Sequence, residues 1–239
     1  MAGRFENTSY GGLNSRFQTT EWTKIVNSTI GKSILAELYT KYWRPVYSYL
    51  RRKGFSNEKA KDLIQGFFSE KVLGQQLLQK ADRKRGKFRT FLLTSISNYA
   101  IDLNRKKRPM KGLDEGLEKP TDIDNPEIEF YVTWAKELLQ SVLKELEAEC
   151  RSHDKIIHWE IFRAWLLKSD IADEKVDMSV ICVKYGIDDV NKAYNMISNI
   201  KGRFRKILRR HLRCEVDSDA EVDEEINKFI QIFSRNPTR

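Results

Sequence analysis

The stretch KFRTFLLTSISNYAIDLNRKKR, residues 87–108, places three kinds of chemistry in one segment. Phe88, Leu92, Ile96 and Leu103 fall at near-helical spacing, and Asn98, Asp102 and Arg105 fall on a second line. Arg105–Arg108 then form a run of four cations. Nothing in this set is a nucleophile held beside a base. Elsewhere, His153, His158 and His211 lack a metal spacing such as HExxH. The phosphate-cradling and nucleophile motifs GxxxxGK(S/T), GxGxxG and GxSxG are absent. Glu70 and Asp102 can be imagined as a carboxylate pair, but no local pattern positions them. The reading is of a binding protein, not an enzyme, with no cofactor and no metal.

Charge patterning points to the ligand class. The 239 residues carry a net charge of +9, unevenly spread. Residues 1–108 hold 22 Lys and Arg against 8 Asp and Glu, and residues 179–214 hold 9 against 2. Between them residues 109–178 hold 9 against 17, and residues 215–239 hold 3 against 7. Two basic segments separated by an acidic one suggest two contact points on a polyanion. No apolar run is long enough to span a membrane, and MAGRFENTSYGGLNSRF has no apolar core, so it does not read as a signal peptide. Cys150, Cys182 and Cys214 are far apart and read as free thiols in a reducing cytoplasm.

The elements that must position these residues read as helices throughout. Strand signals are essentially absent, so the fold class is all-α. Thr20 caps a helix from Glu21, and a second helix runs from about Ile34 to Lys53, with Pro45 inside it. Gly54 stops that helix and Ser56 caps the next, Asn57–Leu73. Residues 1–16 read as a disordered N-terminus, 17–108 as one domain, and 109–126 as an exposed acidic linker holding Pro109, Pro120 and Pro126. Residues 127–214 form a second domain, and 215–239 an acidic tail that masks the second basic block or, as preferred, solvates the C-terminus. In the second domain Tyr131, Trp134, Leu138, Val142 and Leu146 form one stripe, and KIIHWEIFRAWLLK is apolar almost all round. His158 in that helix reads as a core or boundary residue.

Residues 177–213 read as a helix-turn-helix. Asp177 caps the first helix, Gly186 ends it, and Asp188 or Asp189 caps the second. Val190, Ala193, Ile197, Ile200 and Phe204 are the expected buried stripe. Asn191, Lys192, Asn195, Asn199 and Arg203 then face out, with Ser198 and Arg205 beside them.

At this point NEKAKDLIQGFFSEKVL, FRTFLLTSISNYAIDLNRKKR, the linker and the helix-turn-helix together resemble a bacterial RNA polymerase sigma factor. The two-domain layout resembles the extracytoplasmic-function group of the sigma-70 family, over roughly residues 17–230. The resemblance implies binding to core RNA polymerase through its largest-subunit clamp helices and its flap region, promoter DNA as the second partner, an anti-sigma factor as a further one, and a cytoplasmic, nucleoid-associated location. It implies that Asp62, Gln65, Phe68 and Ser69 contact the polymerase. Lys84, Arg85, Lys87, Arg89, Phe91, Asn98, Asp102, Arg105, Lys106, Lys107 and Arg108 would melt the promoter and hold its minus-ten element. Asn191, Lys192, Asn195, Ser198, Asn199, Arg203 and Arg205 would read the minus-thirty-five element. Physically, holding an unstacked strand needs aromatics and pockets for bases and cations for phosphates.

The sequence also departs from the family pattern. Gly66 stands where many relatives have an acid, Phe91 where many have Trp, and the turn YGIDDVNKA is one residue longer than usual. Gly202 interrupts the recognition helix, and that helix is Asn-rich rather than Arg-rich. Two other readings compete. One is a helix-turn-helix regulator that acts without polymerase, which would have no need of an exposed Asp62 and Gln65. The other is a nucleic-acid enzyme, such as a metal-dependent nuclease, which would need converging carboxylates or histidines.

Overall fold

The computed structural model describes residues 32–72, 77, 86–107, 125–171, 177–213, 216 and 218–235. These residues form helices, and no strand is present among them. In chain order they are α1 (Lys32–Arg52), α2 (Asn57–Phe67) running into a π turn (Phe68–Val72), α3 (Phe88–Lys107), α4 (Pro126–Ser152), α5 (Ile156–Ile171), α6 (Met178–Tyr185), α7 (Val190–Arg213) and α8 (Asp219–Arg235). The helix expected from Glu21 and the acidic linker up to residue 124 lie outside the described residues.

The described residues divide into two compact units: those up to Leu138 together with those from Arg213 on, and Leu139–Leu212. The boundaries differ from the expected ones. The start of α4 and the whole of α8 join the first unit.

In the first unit α1 buries Leu38, Tyr42, Val46, Tyr49 and Leu50. Pro45 sits inside α1 without ending it. The helix stops at Gly54, whose φ of 91° is open to glycine at little cost, and the Phe55 amide returns to the Leu50 carbonyl at 3.1 Å. Ser56 then caps α2 by accepting from the Lys59 amide at 3.3 Å. Phe88, Leu92 and Ile96 of α3 are buried as their spacing required, and Leu103 is half-buried. Rings tie the helices together: Tyr42 meets Phe88 at 5.5 Å and Phe67 meets Tyr99 edge-on at 5.6 Å.

Asn125 caps α4 by accepting from the Glu127 amide at 2.9 Å, and Pro126 occupies the first helical position, where its missing N–H costs nothing. Phe130, Trp134, Leu138, Val142, Leu146 and Cys150 are all buried, a row with a repeat of four. Tyr131, expected on this stripe, is half-buried, and its hydroxyl is 3.2 Å from that of Thr90 on α3. Arg44 of α1 donates to Glu137 at 2.9 Å and Arg52 to Glu129 at 3.4 Å, which adds polar ties to the same start of α4.

In the second unit Trp159, Ile161 and Phe162 of α5 are buried. His158 lies at the edge of that core with Nδ1 buried and without a hydrogen bond, and burial, aided by Lys155 and Arg203, lowers its pKa. Glu145 of α4 meets His211 at 2.8 Å and Arg210 of α7. Burial alone would raise the Glu145 pKa, but these two partners outweigh it and hold the carboxyl below its ordinary value. Cys150 and Cys182 are free and buried. Among the described residues, no helix is long and apolar enough to cross a membrane.

Candidate nucleic-acid interface

On α2 and the π turn that continues it, Asp62, Gln65 and Ser69 are exposed along one line, while Leu63, Ile64 and Phe67 are buried. Phe68 departs from its expected role as a partner contact. It is 4% exposed and packs edge-on against Tyr39 at 5.1 Å and against Phe67 at 5.6 Å. The inward arc of α2 is wide, with Ile64 and Phe68 one turn apart, and the π turn that follows buries Val72 as well.

Gly66 has a local cause. A Cβ at this position would come within 2.7 Å of the Tyr99 hydroxyl. Tyr99 is buried, and burial first, then its hydrogen bond to Glu70, pushes its pKa up to about 12, so the phenol stays a donor. An acidic side chain at residue 66 would collide with this contact. The sequence signal was the glycine itself, inside a helix where glycine costs about 1 kcal/mol relative to Ala.

Beside this contact a cavity of about 210 Å³ is lined by Phe67, Lys71, Leu77, Phe91, Ser95, Asn98, Tyr99 and Asp102. It brings together three residues expected at a nucleic-acid site: Phe91, half-buried, and Asn98 and Asp102, both exposed. The volume is below the about 300–1,000 Å³ of a drug-sized ligand site, so one small flat group fits better than a whole ligand. Aromatic walls can stack such a group, and the Asn98 amide and Asp102 carboxylate can meet donors and acceptors on its edge. Arg105 is exposed on the next turn and lies 3.8 Å from Asp102, a surface pair of little energetic weight.

The family comparison bears on this segment. Residues 38–109 match the Sigma-70 region 2 family model. Over that stretch the chain is similar to sigma-70 region 2. Its matched residues take in α1 from Leu38, all of α2 and all of α3. No curated protein and no solved structure matches the chain.

The cations of the matched segment are not all where the sequence suggested. Lys87 is half-buried and donates to Glu225 Oε1 of α8. Arg89 is 5% exposed, donates to Glu225 Oε2, and lies over the Trp134 ring at 4.3 Å. Neither faces open solvent as a phosphate ligand would. Burial would raise the Glu225 pKa, but Arg89 and Lys87 together outweigh it and hold the carboxyl below its ordinary value. The reason was missed in the sequence: Val222, Glu225 and Phe229 share one buried stripe of α8, so this segment is a docked helix and not a solvated tail. A lone acid at the centre of an i, i+3, i+7 apolar stripe was the available signal. Lys84, Arg85 and Arg108 lie outside the described residues, and of Lys106 and Lys107 only the helical backbone is described.

The second unit carries the other candidate face. The Ser179 amide donates to Asp177 at 2.9 Å, which caps α6. Gly186 adopts φ 64°, ψ 41°, and the Ile187 amide reaches back to the Cys182 carbonyl at 2.9 Å. Of the two capping candidates for α7 it is Asp189 that accepts, from the Asn191 amide at 2.8 Å. Ala193, Ile197 and Ile200 are buried. Val190, expected with them, is 39% exposed because it opens the helix, and Phe204 is half-buried. Asn191, Lys192, Asn195, Ser198, Asn199 and Arg205 are exposed. Arg203 is half-buried and donates to Glu149 at 2.9 Å, so it is tied to the domain and not to the open face. Among the described residues no cluster of three or more His, Cys, Asp or Glu is placed to hold a metal ion.

Proposed function

We propose that this protein is an RNA polymerase sigma factor of the extracytoplasmic-function group, which binds core polymerase, directs it to a set of promoters and helps open the duplex. One observation carries the reading. The Sigma-70 region 2 match covers α2 and α3, and on these two helices an exposed polar line (Asp62, Gln65, Ser69) and an aromatic-walled cavity (Phe91, Asn98, Asp102) lie on different elements. A domain that only bound DNA would need the second and not the first.

In this reading Asp62, Gln65 and Ser69 meet basic helices of the polymerase through charge-assisted pairs. Phe91, Asn98 and Asp102 receive an unstacked base of the minus-ten element, and Arg105–Arg108, with Lys84 and Arg85, track phosphates. The exposed Asn191, Lys192, Asn195, Ser198, Asn199 and Arg205 of α7 read an upstream element in the major groove, as the recognition helix of a region 4-like domain. The protein then acts on the nucleoid, in the cytoplasm.

The experiment is co-purification of the full-length chain with core RNA polymerase. A stable stoichiometric complex is expected. A folded chain that binds duplex DNA but never core polymerase would replace this reading with that of an ordinary regulator.

A further inference from the structure

Helix α8 is acidic on the outside, where Asp219, Glu221, Asp223 and Glu224 are exposed. On the inside it is apolar but for Glu225, which is 2% exposed between the buried Val222 and Phe229. Three cations converge on that one carboxylate: Lys87 and Arg89 at the start of α3, and Lys228, whose Nζ lies 3.6 Å from Oε1. An apolar residue in place of Glu225 would hold the helix without taking a charge out of water. A carboxylate adds something that an apolar residue cannot. Its two oxygens present to Arg and Lys what a phosphodiester presents, so another anion can replace it.

A groove open to solvent runs beside this contact. Its volume is about 530 Å³, and it borders α8 and the starts of α3 and α4, with Ile128, Tyr131, Phe229 and Ile232 among its walls.

We propose that α8 is an intramolecular competitor of nucleic acid. Glu225 occupies the Lys87–Arg89 pair that a strand phosphate takes when DNA enters the α3 face, and DNA binding lifts α8 away. This rests on the nucleic-acid reading of α3 given above. The contact makes binding conditional: the closed chain has low affinity, and whatever displaces α8 raises it.

The test uses the full-length chain and a fluorescent single-stranded DNA oligonucleotide. Glu225→Gln keeps the shape and removes the charge. It is expected to bind about 10-fold more tightly than the wild type at low salt, the factor for a site open in about one molecule in ten. Amide hydrogen exchange on the wild type gives a second readout that does not depend on the variant folding. Residues 219–235 are expected to lose protection when the oligonucleotide saturates the chain, while α1 keeps it. Wild type that binds the oligonucleotide with α8 still protected overturns the competitor and leaves the nucleic-acid reading intact, as does equal affinity of wild type and a folded Glu225→Gln. A folded chain of either kind that binds no DNA at any salt overturns both.

Discussion

The Tyr99 hydroxyl occupies the space that a Cβ on Gly66 would need, 2.7 Å away, where the Tyr99 ring packs edge-on against Phe67 between α3 and α2. Gly66→Ala sets two effects against each other. Ala gains about 1 kcal/mol of helix propensity, and forced overpacking costs about 1–3 kcal/mol. The clash should win, for a net loss of about 1 kcal/mol in urea unfolding. In a Tyr99→Phe background, which removes the offending oxygen, the same substitution should be neutral or stabilising. A gain of about 1 kcal/mol from Gly66→Ala in the wild type would mean that Tyr99 moves aside freely.

Gly202 is the internal control. A Cβ there would meet nothing within 4 Å, and the residue lies inside α7. Gly202→Ala should raise stability by about 1 kcal/mol, read as a higher urea midpoint with an unchanged slope. A loss would show that the position needs glycine for a reason other than space.

Acid should release α8. The charged groups facing Glu225 are Lys87, Arg89 and Lys228. The folded Glu225 pKa lies below its ordinary value, so the stabilisation is complete above the unfolded value of about 4.3 and is lost as pH falls through the folded one. The Lys87 pKa is lowered, by burial first, which burial outweighs the hydrogen bond to Glu225, and this acts only on the alkaline side. Stability measured from pH 7 to pH 3 should therefore fall more steeply for the wild type than for Glu225→Gln. Parallel curves would mean that Glu225 has no stake in the fold.

Much of this was legible locally, because caps and helical periods are local. Ser56, Asp177 and Gly186 marked helix ends, and the 3.6-residue period put Asp62 and Gln65 outside and Leu63 and Phe67 inside. Phe68 was read as a partner contact against that same period: it lies four residues after Ile64, and both are buried. The docking of α8 was not legible. Glu225 and Arg89 are 136 residues apart, and no window of sequence shows a pairing at that distance. An acid-rich segment was read as solvated when one of its acids faces inward.

The Asn face of α7 makes a sequence preference testable. Asn191, Asn195 and Asn199 are exposed and one turn apart. Asn pairs bidentately with adenine in the major groove, worth about 1–3 kcal/mol of discrimination. Duplexes selected from a random pool should be enriched in adenine at one position, and Asn195→Ala or Asn191→Ala should erase that enrichment. An unaltered preference in both variants would leave these side chains to backbone or water.

The most direct measurement is the affinity of the full-length chain for core RNA polymerase, wild type against Asp62→Arg. Asp62 is exposed, so the substitution should change stability by no more than about 0.5 kcal/mol. It should weaken polymerase binding by at least about 2 kcal/mol, roughly 30-fold, through a lost pair and like-charge repulsion. Equal affinity would take α2 out of the interface, and a folded wild type with no affinity for core polymerase would contradict the sigma-factor reading itself.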